Sequence, residues 1–334
     1  MKAAMHIHRV NVPLDEPLAQ EVLAFWAAIF PESAKSFRQE YAGQEAAHNR
    51  DTLYLARIDG RLVGTTRLTV GLSTPVLGGL GEVATSAEAR GQGVATALCT
   101  QARDDFFAAG GQALFLATSN PAAARIYQRL LWRRFGFSDV FACLAAGQAP
   151  AEFLRSYYAA ADRAGEIVPG SPAFRIPMIP LIVAPHDWRV LDANVNIFST
   201  RYARQTSCMR LYPRYAALAS EGRQGTWFAA RATTGQTVGL ATVCPAGAGE
   251  SWLVEGFTHA DFVSSWEPLF AKMIAWAASA GASKLQARCA VEDGSKQAMF
   301  AALGFAEVGP AAPFILDGRE VPALLLEGRA SGGQ

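Results

Sequence analysis

The chain has 334 residues, 51% of them hydrophobic and 18% charged, with 30 Lys and Arg against 29 Asp and Glu for a formal net charge of +1. At roughly 100–200 residues per domain this length corresponds to two domains, or three. The apolar fraction excludes wholesale disorder. The near-neutral balance argues against a dominant polyanion-binding role, so no nucleic-acid partner is expected. The five cysteines, Cys99, Cys143, Cys208, Cys244 and Cys289, lie far apart. An odd count without Cys-x-x-Cys points to reduced thiols in a cytoplasm rather than to a disulfide framework or a cysteine zinc site. The opening MKAAMHIHRV carries no apolar run of signal-peptide length. The most apolar stretch, Ile176 to Pro185, contains three prolines and is about half a membrane span. The expectation is a cytoplasmic protein with no membrane partner.

In chain order, Leu18, Val22, Phe25, Trp26 and Ile29 fall at helical spacing and predict an amphipathic helix over Leu14 to Phe30. A more polar helix is expected over Ser33 to Ala47. Leu53–Ile58 and Leu62–Val70 read as a hairpin turning at Asp59-Gly60. The Gly/Pro-rich run Gly71 to Gly81 reads as a loop. A short strand, GEVAT (Gly81–Thr85), follows, then a glycine-bearing turn and a helix from Val94 to Ala109 that Gly110-Gly111 stops. Ala113–Thr118 is a buried strand. Asn120-Pro121 opens a helix to about Leu131, with Asn as N-cap and Pro at the first helical position. Phe135–Leu144 returns as a strand.

A loose repeat then follows. YLARIDGRLVGTTRL is echoed by FAARATTGQTVGLATV, Phe228 to Val243, and GEVAT by the segment around Glu255-Gly256-Phe257-Thr258. A long helix, Pro268 to Ala280, ends at Gly281. A strand over Leu285–Cys289 and a helix over Ser295–Leu303 precede Gly304-Phe305. The expected domains are 1–148 and 174–328, joined by a linker helix and loop over 149–173, with a disordered tail at 329–334.

Between the strand and the helix of the first half lies Thr85-Ser86-Ala87-Glu88-Ala89-Arg90-Gly91-Gln92-Gly93-Val94-Ala95. Glycines let backbone N–H groups approach a ligand, and a helix N-terminus offers free donors and partial positive charge. Phosphate or pyrophosphate is the natural guest, and Arg90 adds a fork of donors. Thr96 stands where a Rossmann fingerprint has its third small residue, and no Gly-Lys-Ser/Thr follows as in a Walker loop. A tight strand-to-helix turn without a ligand is the alternative.

Arg90 through Ala95 resembles the Arg/Gln-x-x-Gly-x-Gly/Ala signature of the GNAT superfamily of acyl-CoA-dependent N-acyltransferases. Asn120, Ala123 and Tyr127 resemble that family's Asn-x-x-Ala-x-x-x-Tyr signature. The resemblance covers roughly residues 1–145 by motif and the second half by layout alone. It implies an α/β fold of two tandem GNAT-like domains, each a mixed, mostly antiparallel sheet flanked by helices, an arrangement that resembles mycothiol synthase. It implies acetyl-CoA or another acyl-CoA as co-substrate and no metal. The cofactor-binding residues it implies are Val83, Ala84 and Thr85, pairing with the pantetheine arm, then Arg90, Gly91, Gln92, Gly93, Val94, Ala95 and Thr96 around the pyrophosphate, with Asn120.

The implied chemistry needs an amine that loses a proton, a donor for the developing oxyanion, and a proton for the departing thiolate. Tyr127 is the candidate acid, since a phenol with a pKa near 10 is protonated at neutral pH. The alternative is a packed helical aromatic. Glu82, at the edge of the same strand, is the candidate base; the alternative is a carboxylate that only pairs with an arginine such as Arg67 or Arg125. His6 and His8 are further base candidates, more often structural on a strand. No His, Asp and Glu spacing suggests a metal site. Leu131 stands where the family often has glycine, and Gly136-Phe137 comes five residues later, so either the helix end is altered or an insertion shifts the register.

In the second half Ser264-Ser265-Trp266-Glu267-Pro268 replaces the glycine loop and Phe300 replaces Tyr127. This half is expected to fold like the first without binding coenzyme A. Arg201, Arg204, Arg210 and Arg214 suggest either an acidic group on an acceptor or a solvated face. Three functions stay open: direct acyl transfer from acyl-CoA to the amine of a small molecule, transfer from an acyl carrier protein, and non-catalytic acyl-CoA binding.

Overall fold

The computed structural model describes residues 4–30, 40–162, 165–220, 224–247 and 250–330. The chain forms two units. The first comprises Met1–Arg134 with Phe141–Pro150, and the second comprises Phe135–Val140 with Ala151–Gln334.

The first unit holds a seven-stranded sheet. Its strands are β1 (Met5–Asn11), β2 (Asn49–Ile58), β3 (Arg61–Gly71), β4 (Leu77–Thr85), β5 (Ala113–Ala117), β6 (Arg133–Arg134) and β7 (Val140–Leu144). They lie in the order β1-β2-β3-β4-β5-β7-β6. β1 through β4 are antiparallel neighbours, β4 and β5 are parallel, and β6 and β7 are antiparallel. The hairpin turn carries Asp59 and Gly60 at positive φ, the conformation that Asp-Gly turns favour.

Helix α1 (Glu16–Ala27) starts where Asp15 accepts the Leu18 N–H. It buries Val22 and Trp26 against Leu53, Leu55 and Ala84, together with Tyr41. Helices α2 (Val94–Ala108) and α3 (Pro121–Arg129) cover the opposite face. There Leu98, Phe106 and Tyr127 pack on Tyr54, Leu68, Val70 and Leu80. Each large side chain so buried contributes about 1.5–3 kcal/mol of apolar transfer.

The predicted helices over 14–30, 94–109 and 121–131 and the predicted hairpin are all present, with ends shifted by a few residues. Residues 33–39 of the helix expected over Ser33 to Ala47 lie outside the described residues; of the rest, Glu40 and Tyr41 are helical and 42–47 form turns. Two readings change. The expected loop Gly71 to Gly81 already contains β4 from Leu77. Gly78 is there for packing: a Cβ on it would lie 2.8 Å from the Phe106 ring. Of the strand expected over Phe135–Leu144 only Val140–Leu144 is a strand; before it Ser138 Oγ donates to the Phe135 carbonyl at 2.6 Å and turns the chain, leaving an isolated bridge between Ser138 and Gln205.

In the second unit, helix α4 (Pro150–Ala159) precedes strand β8 (Gly165–Pro169). Then come α5 (Met178–Val183), the two-stranded pair β9 (Val190–Asp192) and β10 (Ile197–Phe198), and α6 (Leu211–Ala216). The apolar run around Ile176 thus becomes α5, buried along its whole length. The remaining elements are β11 (Thr226–Ala232), β12 (Thr237–Pro245), β13 (Ser251–Thr258), α7 (Trp266–Ser279), β14 (Lys284–Ala290), α8 (Gly294–Ala302), β15 (Ala306–Leu316) and β16 (Arg319–Arg329).

The second sheet has the order β8-β11-β12-β13-β14-β16-β15. Counted from β8 this is the strand order of the first sheet, with the parallel pair again between the fourth and fifth strands, β13 and β14. The segment 149–173, read as a linker, therefore contributes the first strand of the second sheet. The β15–β16 hairpin completes it, and most of the expected tail, 331–334, lies outside the described residues.

Candidate active site

The site of the first unit begins with an irregularity in β4. Thr65 pairs with Ala84 and Arg67 with Gly81, so the register shifts between them. Glu82 sits in this bulge at φ 45°. A bulge interrupts the alternation of side chains. Leu80 packs on the α2 face, whereas Glu82, two residues on, turns to the α1 face beside Arg67. The carbonyls freed by the bulge are satisfied by side chains: Thr65 Oγ donates to Glu82 O at 2.8 Å and Thr66 Oγ to Gly81 O at 3.2 Å. Trp26 Nε1 donates to Thr65 Oγ at 2.8 Å, which ties α1 to the bulge.

Arg67 is 2% exposed. Its guanidinium lies 2.6 Å from Glu40, 3.0 Å from Asp51 and 3.6 Å from Glu82. Tyr41 Oη accepts from Arg67 at 3.2 Å and reaches Glu82 at 3.5 Å. Burial works against the charge on Arg67, but Tyr41, Glu82, Asp51 and Glu40 outweigh it and hold the guanidinium above its usual pKa. Three carboxylates surround one cation on this face. Of the two arginines considered for Glu82, Arg67 is a partner.

After β4 the chain makes a short 3-10 turn (Ala87–Ala89) and enters α2 through Arg90-Gly91-Gln92-Gly93. Gly91 and Gly93 have φ of 75° and 84°, and a Cβ on either would meet open space. Left-handed backbone is what glycine adopts without penalty. Gly93 is the N-cap and provides no side-chain cap, so the first-turn N–H groups of Val94, Ala95 and Thr96 are left without an intrahelical acceptor. Gln92 Nε2 donates to the Glu88 carbonyl at 2.9 Å and braces the turn. Arg90 is exposed. On Gly64 of β3, a Cβ would lie 2.4 Å from Val94, so the absence of a side chain lets the helix start rest on the sheet.

β4 and β5 pair only over Leu77–Gly79 and Ala113–Phe115. Beyond that point β4 continues through Val83, Ala84 and Thr85 while β5 leaves it. Asn120 caps α3, accepting from Ala122 N at 2.9 Å. One face of α3 presents Tyr127, 6% exposed, which packs against Trp132 with ring centres 6.1 Å apart. Tyr127 belongs to the α2-side cluster and Glu82 to the Arg67 network on the other face.

The question at Leu131 is resolved by backbone geometry. Leu131 adopts φ 72° and is 71% exposed. Its N–H bonds the Gln128 carbonyl and the Trp132 N–H bonds the Tyr127 carbonyl at 3.0 Å. This is a Schellman ending with leucine in the place usually held by glycine. The helix end is retained, and Gly136-Phe137 lies in a separate turn.

His6 and His8 lie exposed on β1 at the sheet edge, three strands from β4. Among the described residues no group of three or more His, Cys, Asp or Glu could hold a metal ion. No helix of the described residues is long and apolar enough to cross a membrane. All five cysteines are free thiols.

The corresponding part of the second unit is built differently. The β12–β13 ladder runs without a register shift, pairing Thr242 with Glu255. Glu255 Oε2 accepts from Lys296 Nζ at 2.7 Å, and both side chains are buried. Lys296 also donates to the carbonyls of Val190 and Leu191, at 3.0 and 3.1 Å. Asp293 accepts the N–H groups of Arg189 and Val190. The segment 189–191 is thus held by α8 and the turn before it. A 3-10 turn over Ala260–Ser265, without glycine, stands where the glycine loop was. Trp266 turns inward, stacking on Phe270 at 4.0 Å and meeting Phe300 edge-on at 5.2 Å.

Of the four arginines noted in sequence, Arg201 pairs with Asp187. Arg204 pairs with buried Asp139 at 2.6 Å, and Arg214 donates to the Asn196 carbonyl at 3.1 Å. These contacts are internal to the unit. Sequence reasoning had missed Tyr41, Glu40 and Asp51 around Arg67, because only the fold assembles them.

Residues 19–131 match the Acetyltransferase (GNAT) family model. The first unit therefore carries a GNAT domain. No curated protein matches the chain. Among solved structures, a probable acetyltransferase from Staphylococcus epidermidis ATCC 12228 is 15% identical over 50% of this chain and 100% of its own, with a TM-score of 0.41. Mutant forms of the spermidine/spermine N-acetyltransferase SpeG from Vibrio cholerae are 11% identical over 51% of this chain and 95% of their own, with a TM-score of 0.38. Spermidine N-acetyltransferase from Vibrio cholerae in complex with CoA and spermine is 14% identical over 36% of this chain and 73% of its own, with a TM-score of 0.31.

Proposed function

We propose that this chain is an acyl-CoA-dependent N-acyltransferase, most simply an acetyltransferase, whose first unit moves an acyl group to the amine of a small molecule. The observation that carries the reading is the run from the β4 bulge through the left-handed glycines into an uncapped helix start. The open space at Gly91 and Gly93 and the unsatisfied first-turn donors fit a pyrophosphate. Arg90, Gly91, Gln92, Gly93, Val94, Ala95 and Thr96 would hold it. Val83, Ala84 and Thr85, on the part of β4 that β5 leaves, would pair with a pantetheine arm, and Asn120, the N-cap of α3, would complete the cofactor site. The bound donor supplies a thioester carbonyl.

The protein's own groups do the rest. A backbone N–H of Val83–Thr85 donates toward charge developing on the carbonyl oxygen. Tyr127 holds a phenolic proton for the departing sulfur. Glu82 accepts the amine proton directly or through water, with Arg67, Tyr41 and Thr65 fixing its position. Three carboxylates around one guanidinium leave surplus negative charge on this face, which suits an acceptor that arrives as an ammonium ion.

The test is thiol release from acetyl-CoA over a panel of small amines, run beside a loaded acyl carrier protein. Turnover with free acetyl-CoA that falls in Tyr127→Phe supports the reading. Transfer only from the carrier would reassign the donor. Binding of acetyl-CoA with no turnover on any amine would favour a sensor.

A further inference from the structure

In the second unit the parallel strands β13 and β14 also part, after Leu253 and Gln286. The deep end of the gap is closed by the chain itself: Lys296 and Asp293 hold residues 189–191 there. What remains is a cleft of about 310 Å³ lined by Asn194, Asn196, Glu255, Gln286 and Arg288 among others. It lies near the small end of the range for ligand pockets, roughly 300–1,000 Å³, and its inner wall is a satisfied ion pair rather than an open slot.

Arg288 is the outlying group in this cleft. It is half-buried, and its guanidinium lies over the Phe314 ring, 4.5 Å from the centre. Among the described residues it donates no side-chain hydrogen bond. Gln286, its neighbour on the same face of β14, is committed to Glu327 at 2.8 Å. Glu255 is equally committed, with one oxygen to Lys296 Nζ and the other to the Arg288 backbone N–H at 3.3 Å. A guanidinium over an aromatic ring keeps its planar fork of donors, which matches a two-pronged acceptor.

We propose that this cleft is a binding site for a small carboxylic acid, of the size of succinate or glutamate, whose carboxylate is held by the Arg288 fork with Asn196 at the rim. Carboxylate suits the cleft better than a phosphate dianion, because the buried charge of Glu255 lies on the same wall. Asn196 is exposed at φ 55° and lines the cleft, and its side chain has an amide N–H₂ to give. The site is independent of the acyl-donor site proposed for the first unit.

The test is calorimetric titration of the full chain with succinate and with L-glutamate at constant ionic strength. Saturable binding of one equivalent is expected for at least one of the two. Arg288→Gln should weaken it tenfold or more, and Arg288→Lys should restore part of it. Asn196→Asp, an exposed change that leaves the packing intact, should also weaken it by placing a negative charge at the rim. Gly93→Glu should leave it unchanged. Absence of saturable binding to both acids, undiminished binding in Arg288→Gln and Asn196→Asp, or loss of binding in Gly93→Glu would each overturn the proposal.

Discussion

Arg67 Nε lies 3.6 Å from the Glu82 carboxylate, and the bulge in β4 is what brings them together. In a regular ladder Glu82 would point to the same face as Leu80, away from Arg67. The second unit shows the regular case: Glu255, at the position that echoes Glu82, pairs with Lys296 of α8 at 2.7 Å. The same residue type at the same place in the repeat serves a candidate site in one unit and a structural ion pair in the other.

Tyr127→Phe keeps the ring against Trp132 and removes the proton. Turnover is expected to fall by about 10²-fold or more, within the range for general acid catalysis, while acetyl-CoA affinity stays within about twofold. Steady-state kinetics with parallel calorimetry check this. A matched fall in affinity would assign Tyr127 to binding instead.

Glu82→Gln removes the candidate base but leaves an amide that can still bond Arg67 and Tyr41. Turnover of an amine at neutral pH should drop well below wild type, with the melting temperature little changed. Full activity in this variant would leave Glu82 as a partner of Arg67 only.

Leu131→Gly should stabilise the protein. A non-glycine residue in left-handed backbone costs about 1–2 kcal/mol, and Leu131 is exposed, so little packing is lost. Glycine's extra freedom in the unfolded chain offsets part of this, leaving a gain of about 0.5–1 kcal/mol. An unchanged or lower urea midpoint would contradict this account of the helix end.

Lys296→Met should destabilise the second unit by about 3–5 kcal/mol, because it leaves Glu255 buried without its cation. Asp192 nearby is pushed up from 3.8 to about 7, by burial first and then by Glu255. Between those values the unfolded chain has released the proton and the folded chain still holds it. Stability from this group is therefore present at low pH and lost as pH rises from about 4 to about 7, by at most ~1.4 kcal/mol per unit. Asp192→Asn removes that loss. Denaturation at several pH values should show wild type falling relative to this variant as pH rises through the window.

The residues that carry local signals were legible without coordinates. Asp59-Gly60 announced its turn, Asn120-Pro121 its helix start, and Gly91 and Gly93 a tight passage from strand to helix. The repeat was visible too, because hairpins and helix-stopping glycines recur in order. What could not be read depends on long-range pairing. The bulge at Glu82 is a register shift against β3, and nothing in Gly81-Glu82-Val83 alone displays it. β8 was missed because Gly165–Pro169 is a short edge strand with little apolar pattern, defined by its pairing with β11. The Arg67 network draws on residues 40, 41, 51 and 82, which only the folded sheet gathers. Leu131 misled for the opposite reason: the geometry expected of a glycine is there, held by a residue that seldom adopts it.

The first unit alone is expected to bind an acyl-CoA. Calorimetric titration of acetyl-CoA into the full chain and into Gly93→Glu tests it most directly. One site per wild-type chain is expected and none in the variant, where a side chain carrying negative charge would enter the cradle while the fold, followed by thermal melting, persists. Two sites per chain, or an undiminished single site in Gly93→Glu, would contradict it.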